Sequence, residues 1–166
     1  MTVVSDTSPI SYLVLIRREE VIAELYGEVL VPEAVHSELV DPRGPDAVRE
    51  RISCSPSWMK VKSTSSGEET LPLSEEKRGD LKELDPGERE AILLAVREEA
   101  GLLLIDERAG RAAARARGVT VTGTIGVLGA AAQKDLIDPA PAVRDLRETT
   151  FRASADLYRW LLEKGQ

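Results

Sequence analysis

The sequence predicts an α/β fold, a central and mostly parallel sheet covered by helices on both faces, and two observations carry that expectation. Short β-branched runs alternate with stretches of helical periodicity, as successive strand–helix–strand units require. The apolar runs, Leu102-Leu103-Leu104-Ile105 above all, are continuous rather than alternating, which suits strands buried on both sides. With 166 residues and 42% hydrophobic content the chain has enough apolar material for one core, so a single domain over 1–166 is expected.

The elements follow in order. Thr2-Val3-Val4-Ser5 is the first strand. A helix over 9–17 comes next, with Pro9 at its first position and Ser8, held extended by the proline after it, as cap. A helix over 19–26 leads to the strand Glu28-Val29-Leu30-Val31, and Pro32 opens a helix over 32–40. A further helix spans 45–53, and residues 63–74 read as a loop-like insertion. Asp85-Pro86-Gly87-Glu88 has the spacing of a capping box and starts a helix over 86–99. The strand Gly101 to Ile105 is followed by a helix over 107–117, for which Asp106 is the natural cap. Val119-Thr120-Val121 is the last strand, and a helix over 123–133 follows it. Gly126 and Gly129 within that helix fit neither a phosphate loop nor a dinucleotide fingerprint and more simply let it approach the sheet closely, although the stretch after the strand could still bound a cleft. The tail, about 139–163, reads as two more helices lying outside the sheet or against a partner.

Composition narrows the function. No apolar run reaches the roughly 20 residues of a membrane helix, and the N-terminus lacks a secretory pattern, so a cytoplasmic protein without membrane contact is expected. One cysteine, Cys54, and one histidine, His36, give neither an internal disulfide nor a zinc cluster. A metal in this chain would be held by oxygen. The net charge of −7 opposes a surface that grips polyanions everywhere but leaves room for a local basic face.

Ligands of open α/β sheets bind beyond the carboxyl ends of the strands, which draws attention to four acids. Asp6 follows the first strand and is left without a capping role if Ser8 is the cap. Glu38 flanks the buried Val35/Leu39 stripe of its helix, where a solvated charge and a ligand are equally good readings. Glu88 heads the line Ala91, Ile92, Ala95 at the top of a buried face, which favours it for a site and Asp85 for the cap. Asp106 follows the strongest strand and could both cap and coordinate. Behind it, Arg108, Arg111 and Arg115 share one helix side, usually a solvated stripe but also able to steer phosphates toward the acids. Clustered carboxylates repel one another and raise each other's pKa, a strain that Mg²⁺ or Mn²⁺ relieves.

Taken together, Val4-Ser5-Asp6-Thr7-Ser8-Pro9, Val31-Pro32 through Glu38, Leu84 through Ile92, and Leu104-Ile105-Asp106-Glu107-Arg108 through Leu128 resemble the PIN-domain superfamily of nucleases. The likeness is greatest to its prokaryotic VapC-like branch with a Gly-Glu third motif, and it extends into the tail from Phe151 to Leu162. The resemblance implies a three-layer α/β/α sandwich that hydrolyses RNA phosphodiesters with Mg²⁺ or Mn²⁺. It also implies a homodimer acting as the toxin of a type II toxin–antitoxin pair, with an antitoxin protein as partner. By motif, Asp6, Glu38, Glu88 and Asp106 match the family's four acids in order. Many relatives carry an aspartate in an Asp-Ala pair as third acid, so whether Asp85 or Glu88 takes that role stays open here. No aspartate follows Asp106 within four residues, which leaves the number of metals open as well. Two other classes compete. A Mg²⁺-dependent α/β signalling module would want a lysine at a late strand end, where Gly123 stands, and a noncatalytic PIN-like protein-binding module would not need four intact acids.

Overall fold

The computed structural model describes residues 1–63 and 81–165. Five parallel strands, β1 (Val3–Ser5), β2 (Val29–Pro32), β3 (Met59–Lys62), β4 (Leu102–Leu104) and β5 (Val121–Thr122), form one sheet in the order β3-β2-β1-β4-β5. The helices are α1 (Thr7–Leu15), α2 (Glu20–Tyr26), α3 (Glu33–Leu39), α4 (Asp46–Ser53), α5 (Pro86–Arg97), α6 (Arg108–Ala116), α7 (Thr124–Gln133), α8 (Pro139–Arg147) and α9 (Ala155–Glu163). The architecture is the three-layer α/β/α sandwich that the strand–helix alternation predicts.

Burial follows the apolar runs. Every residue of β1 and β2 is buried, as the continuous apolar pattern of strands covered on both faces demands. Helix α5 lays its Ala91, Ile92, Leu94 and Ala95 inward and packs against β1, β2 and β4, with α3 and α6 beside it. Helices α1, α2 and α7 pack together, and α8 and α9 close over α7. Gly129 of α7 makes that closure possible, because a Cβ there would meet the Trp160 ring of α9 at 2.5 Å. Its close approach is therefore to the tail helix, not to the sheet as the sequence led us to expect; Gly126 keeps the expected role, against Thr122 of β5.

Some local expectations change. Strand β3 has no counterpart in the sequence reading, because Met-Lys-Val-Lys offers no apolar run and lies on the exposed edge of the sheet. Helix α1 starts at Thr7, so Asp6 and not Ser8 occupies the cap position and Pro9 is the third helical residue. Helix α6 starts at Arg108 with Glu107 at its cap position, which releases Asp106 from capping its own helix. The insertion expected at 63–74 lies, from residue 64 on, outside the described residues. No helix among the described residues is long and apolar enough to cross a membrane.

The strand order positions the site. From β1 the chain builds outward to β2 and β3, then returns to the other side of β1 to place β4 and β5. The reversal falls between β1 and β4, and crevices at such switch points are where open α/β sheets bind ligands. Asp6 and Asp106 emerge there, just beyond the ends of these two neighbouring strands.

Candidate active site

Asp6 is anchored by its backbone, whose N–H donates to the Leu104 carbonyl at 2.8 Å and so extends the β1–β4 pairing by one step. Its side chain is 3% exposed, and among the described residues its Oδ1 has no hydrogen-bond partner. A buried carboxylate oxygen without a donor is costly unless a proton or a cation serves it. Burial pushes the Asp6 carboxyl up to about 8; the Thr7 backbone N–H opposes that shift, and the charges of Glu88, Asp85 and Glu38 add to it.

Glu38 is held from two directions. The Thr7 hydroxyl donates to its Oε2, and the Gly87 backbone N–H donates to its Oε1 at 3.2 Å. The second contact requires glycine, since a Cβ at position 87 would stand 2.6 Å from Glu38 Oε1. The Gly-Glu pair thus places one acid through its main chain and supplies another through its side chain. Glu38 is half-buried, which favours the ligand reading over the solvated helix charge.

The two acids at the start of α5 sit in different surroundings. Asp85 is exposed and caps the helix, its Oδ1 accepting from the Glu88 N–H at 2.8 Å. Glu88 is 8% exposed and close enough to Asp6 to raise its pKa. Burial raises the Glu88 carboxyl to about 7, reinforced by Asp85 and by Glu107.

Asp106 turns toward the neighbouring helix. Its Oδ1 accepts from the Thr124 N–H at 2.7 Å and its Oδ2 from the Thr124 hydroxyl at 2.8 Å, so it satisfies the first turn of α7. Burial raises its pKa, while these two bonds and the Arg111 guanidinium hold it down. It lines a cleft of about 510 Å³ together with Arg108, Arg111 and the tail residues Phe151 and Trp160. Arg115, third in the expected stripe, is exposed and not part of that cleft.

The four acids therefore lie at one sheet edge in two sub-clusters. The charges of Glu38 and Glu88 both act on Asp6, while Asp106 is engaged with α7. Among the described residues no three acidic, histidine or cysteine side chains close into a ready ligand set. The donors still fit a hard divalent ion: all are carboxylates, and one buried oxygen has no partner among the described residues. Mg²⁺ in particular keeps several waters and needs only one or two direct carboxylates.

Thr7, Gly87 and Thr124 were not singled out from the sequence, although Thr7 and Gly87 each adjoin a motif acid and Thr124 opens the helix that follows the last strand. The tail wall had no signal of its own.

A parallel α/β/α sandwich with buried carboxylates at its switch point defines an α/β protein with an acidic site. The chain belongs to the PIN-domain family: the model of DUF3368, described as a PIN domain, matches residues 2–166. Comparison with curated proteins gives no match, and comparison with solved structures gives none. Membership of that family supports a nuclease-like function in general terms.

Proposed function

We propose that the protein is a metal-dependent ribonuclease of the VapC-like branch, acting in the cytoplasm as a homodimeric toxin of a type II toxin–antitoxin pair. RNA is then its substrate and an antitoxin protein its partner. The observation that carries the catalytic reading is the unpartnered, buried Asp6 carboxylate oxygen, set among Glu38 and Glu88 at the switch point. Asp6, Glu38, Glu88 and Asp106 would hold Mg²⁺ or Mn²⁺. A bound ion of this kind supplies Lewis acidity, acidifying water for attack on phosphorus and stabilising charge on the departing oxygen. The chain's part is to hold the acids. Thr7 and the Gly87 amide orient Glu38, Thr124 orients Asp106, and Asp85 sets the first turn of α5 so that Glu88 faces inward. Outer groups that orient ligands in this way are worth roughly 10- to 100-fold in affinity or activity at metal sites. The toxin role and the dimer rest on the motif resemblance.

The test is cleavage of labelled RNAs with Mg²⁺ or Mn²⁺ and with chelator. Wild type cuts only with metal, and Asp6→Asn and Asp106→Asn fall to the level of the chelated wild type. Cleavage that ignores chelator, or that survives both substitutions, overturns the mechanism. The open ligand set favours a second reading, a noncatalytic PIN-like binding module. That reading predicts no metal-dependent cleavage of any RNA and no growth arrest on expression of the chain.

A further inference from the structure

The cleft beside Asp106 holds more than carboxylates. One side is the first turn of α6, which brings Arg108 and Arg111; the other is the segment before and within α9, which brings Phe151, Arg152, Leu157 and Trp160. Its volume, about 510 Å³, lies in the roughly 300–1,000 Å³ range of ligand pockets. In a chain of net charge −7, three guanidinium groups stand here against two acids, Asp106 and Glu107. Arg108 and Arg152 are exposed and have no ion-pair partner among the described residues. Arg111 faces Asp106 and lies beside Gly123. The apolar side is only partly used, with the Trp160 ring packed on Gly129 along one edge. Leu157 is 48% exposed and Trp160 40%, although both belong to a helix packed against α7 and α8. The Phe151 ring is fixed edge-on to Tyr12 at 5.0 Å, and the Lys164 ammonium sits 4.7 Å from the Trp160 ring centre.

Guanidinium groups and flat apolar side chains ask for different partners, an anion and an unsaturated ring. An unpaired nucleotide provides both. We propose that this cleft is a nucleotide subsite, seating one unpaired base of the RNA against Phe151, Leu157 and Trp160 while Arg108 and Arg111 take the adjoining phosphates. The identity of the strand rests on the ribonuclease reading above. Position favours this occupant over a peptide: the cleft opens on Asp106, so a base seated there leaves its own phosphate at the sheet edge where the acids gather. A base inside a duplex is stacked on both faces and cannot enter, so the substrate is single-stranded at this position. Aromatic residues make up only 4% of the chain, which argues against a stacking platform for a run of bases but suffices for one.

The experiment measures binding apart from cleavage. The Asp6→Asn protein is titrated with fluorescent single-stranded RNA octamers, with the same octamers carrying one central abasic residue, and with the corresponding duplex, all by anisotropy. Intact single strands bind more tightly than abasic strands of equal charge, and the duplex binds no better than the abasic strand. In the same background Trp160→Ala or Phe151→Ala weakens the intact strand roughly 5- to 150-fold, the affinity of a stacked base, and leaves the abasic strand unchanged. Arg108→Ala weakens both strands alike and lowers the salt slope by about 0.7. Equal affinity for intact and abasic strands overturns the subsite, and that arm needs no substitution in the cleft. Unchanged RNA affinity in both aromatic variants, with thermal melting showing them folded, also overturns it and leaves the wall to a protein partner. The two readings fail separately: metal-independent cleavage sinks the nuclease mechanism without touching base discrimination, and lost base discrimination leaves metal-dependent cleavage standing.

Discussion

At the scale of single residues, Asp6 governs how the protein responds to pH. Its carboxyl titrates near 8 in the folded chain and near 3.8 when unfolded, so between those values the folded state binds more protons. Stability must then fall as pH rises, because the unfolded state ionises freely while the fold either stays protonated or buries a charge. Glu88 acts in the same direction between 4.5 and about 7. Acids with lowered pKa, such as Asp41 and Asp145, change charge below this window and do not cancel the trend. In chelator, the melting temperature is expected to fall steadily from about pH 5 to pH 8, and Asp6→Asn is expected to flatten most of that slope. A wild-type melting temperature that is level or rising over this range would show that Asp6 is not buried as described. The sequence marked Asp6 as an acid left without a job. It could not reveal the missing hydrogen bond, which depends on β1 and β4 being neighbours 100 residues apart in the chain.

At the scale of elements, the start of α5 separates two jobs that the sequence leaves entangled. Asp85 caps the helix from solvent, while Glu88 is buried. Asp85→Ala is expected to lower unfolding free energy by about 1 kcal/mol, a typical cap loss, while keeping metal-dependent cleavage within tenfold of wild type. Glu88→Gln keeps the cap and its stability but loses cleavage. Urea denaturation and the RNA assay read the two effects, and the reverse pattern would make Asp85 the third acid. How much was legible differs between elements for physical reasons. Buried strands β1, β2 and β4 declare themselves through unbroken apolar runs, and α5 through its capping box and its inward line from Glu88 to Ala95. Strand β3 stayed hidden because an exposed edge strand carrying two lysines has no periodicity to read. The cap of α1 was misplaced because proline is tolerated throughout a first helical turn, so Pro9 does not fix where the turn begins. Asp106 was expected to cap its own helix and instead serves α7, a choice set by the adjacency of β4 and β5 and not by any local motif.

At the scale of the whole molecule, the chain combines a net negative charge with buried acids, Asp6 and Glu88, and a proton or a cation reconciles these with a stable fold. The three-layer sandwich supplies the core: residues of β1, β2 and β4 and of helices α1 to α9 bury together, and the carboxylates are carried at its rim. A ligand that binds only the folded state raises stability by RT ln(1 + [L]/Kd), about 2.7 kcal/mol at a hundred times Kd. For a chain of this length that corresponds to roughly 5–10 °C in melting temperature. Mg²⁺ or Mn²⁺ is therefore expected to raise the melting temperature of the wild-type protein at pH 8 by about that amount at saturation. The rise should shrink near pH 5.5, where protons occupy Asp6 and Glu88, both of which titrate above that pH in the fold. Metal thus opposes the pH trend expected in chelator, since it stabilises most where the ionised acids destabilise most. Asp6→Asn should abolish most of the rise, while Cys54→Ser, on an exposed residue away from the site, should leave it intact. Thermal melting with and without 10-fold steps of metal, at both pH values, distinguishes a specific site from general screening: NaCl at matched ionic strength should give no comparable shift. If the divalent ion and NaCl act alike, or if the shift is as large in Asp6→Asn as in wild type, the acids at the switch point do not hold a metal.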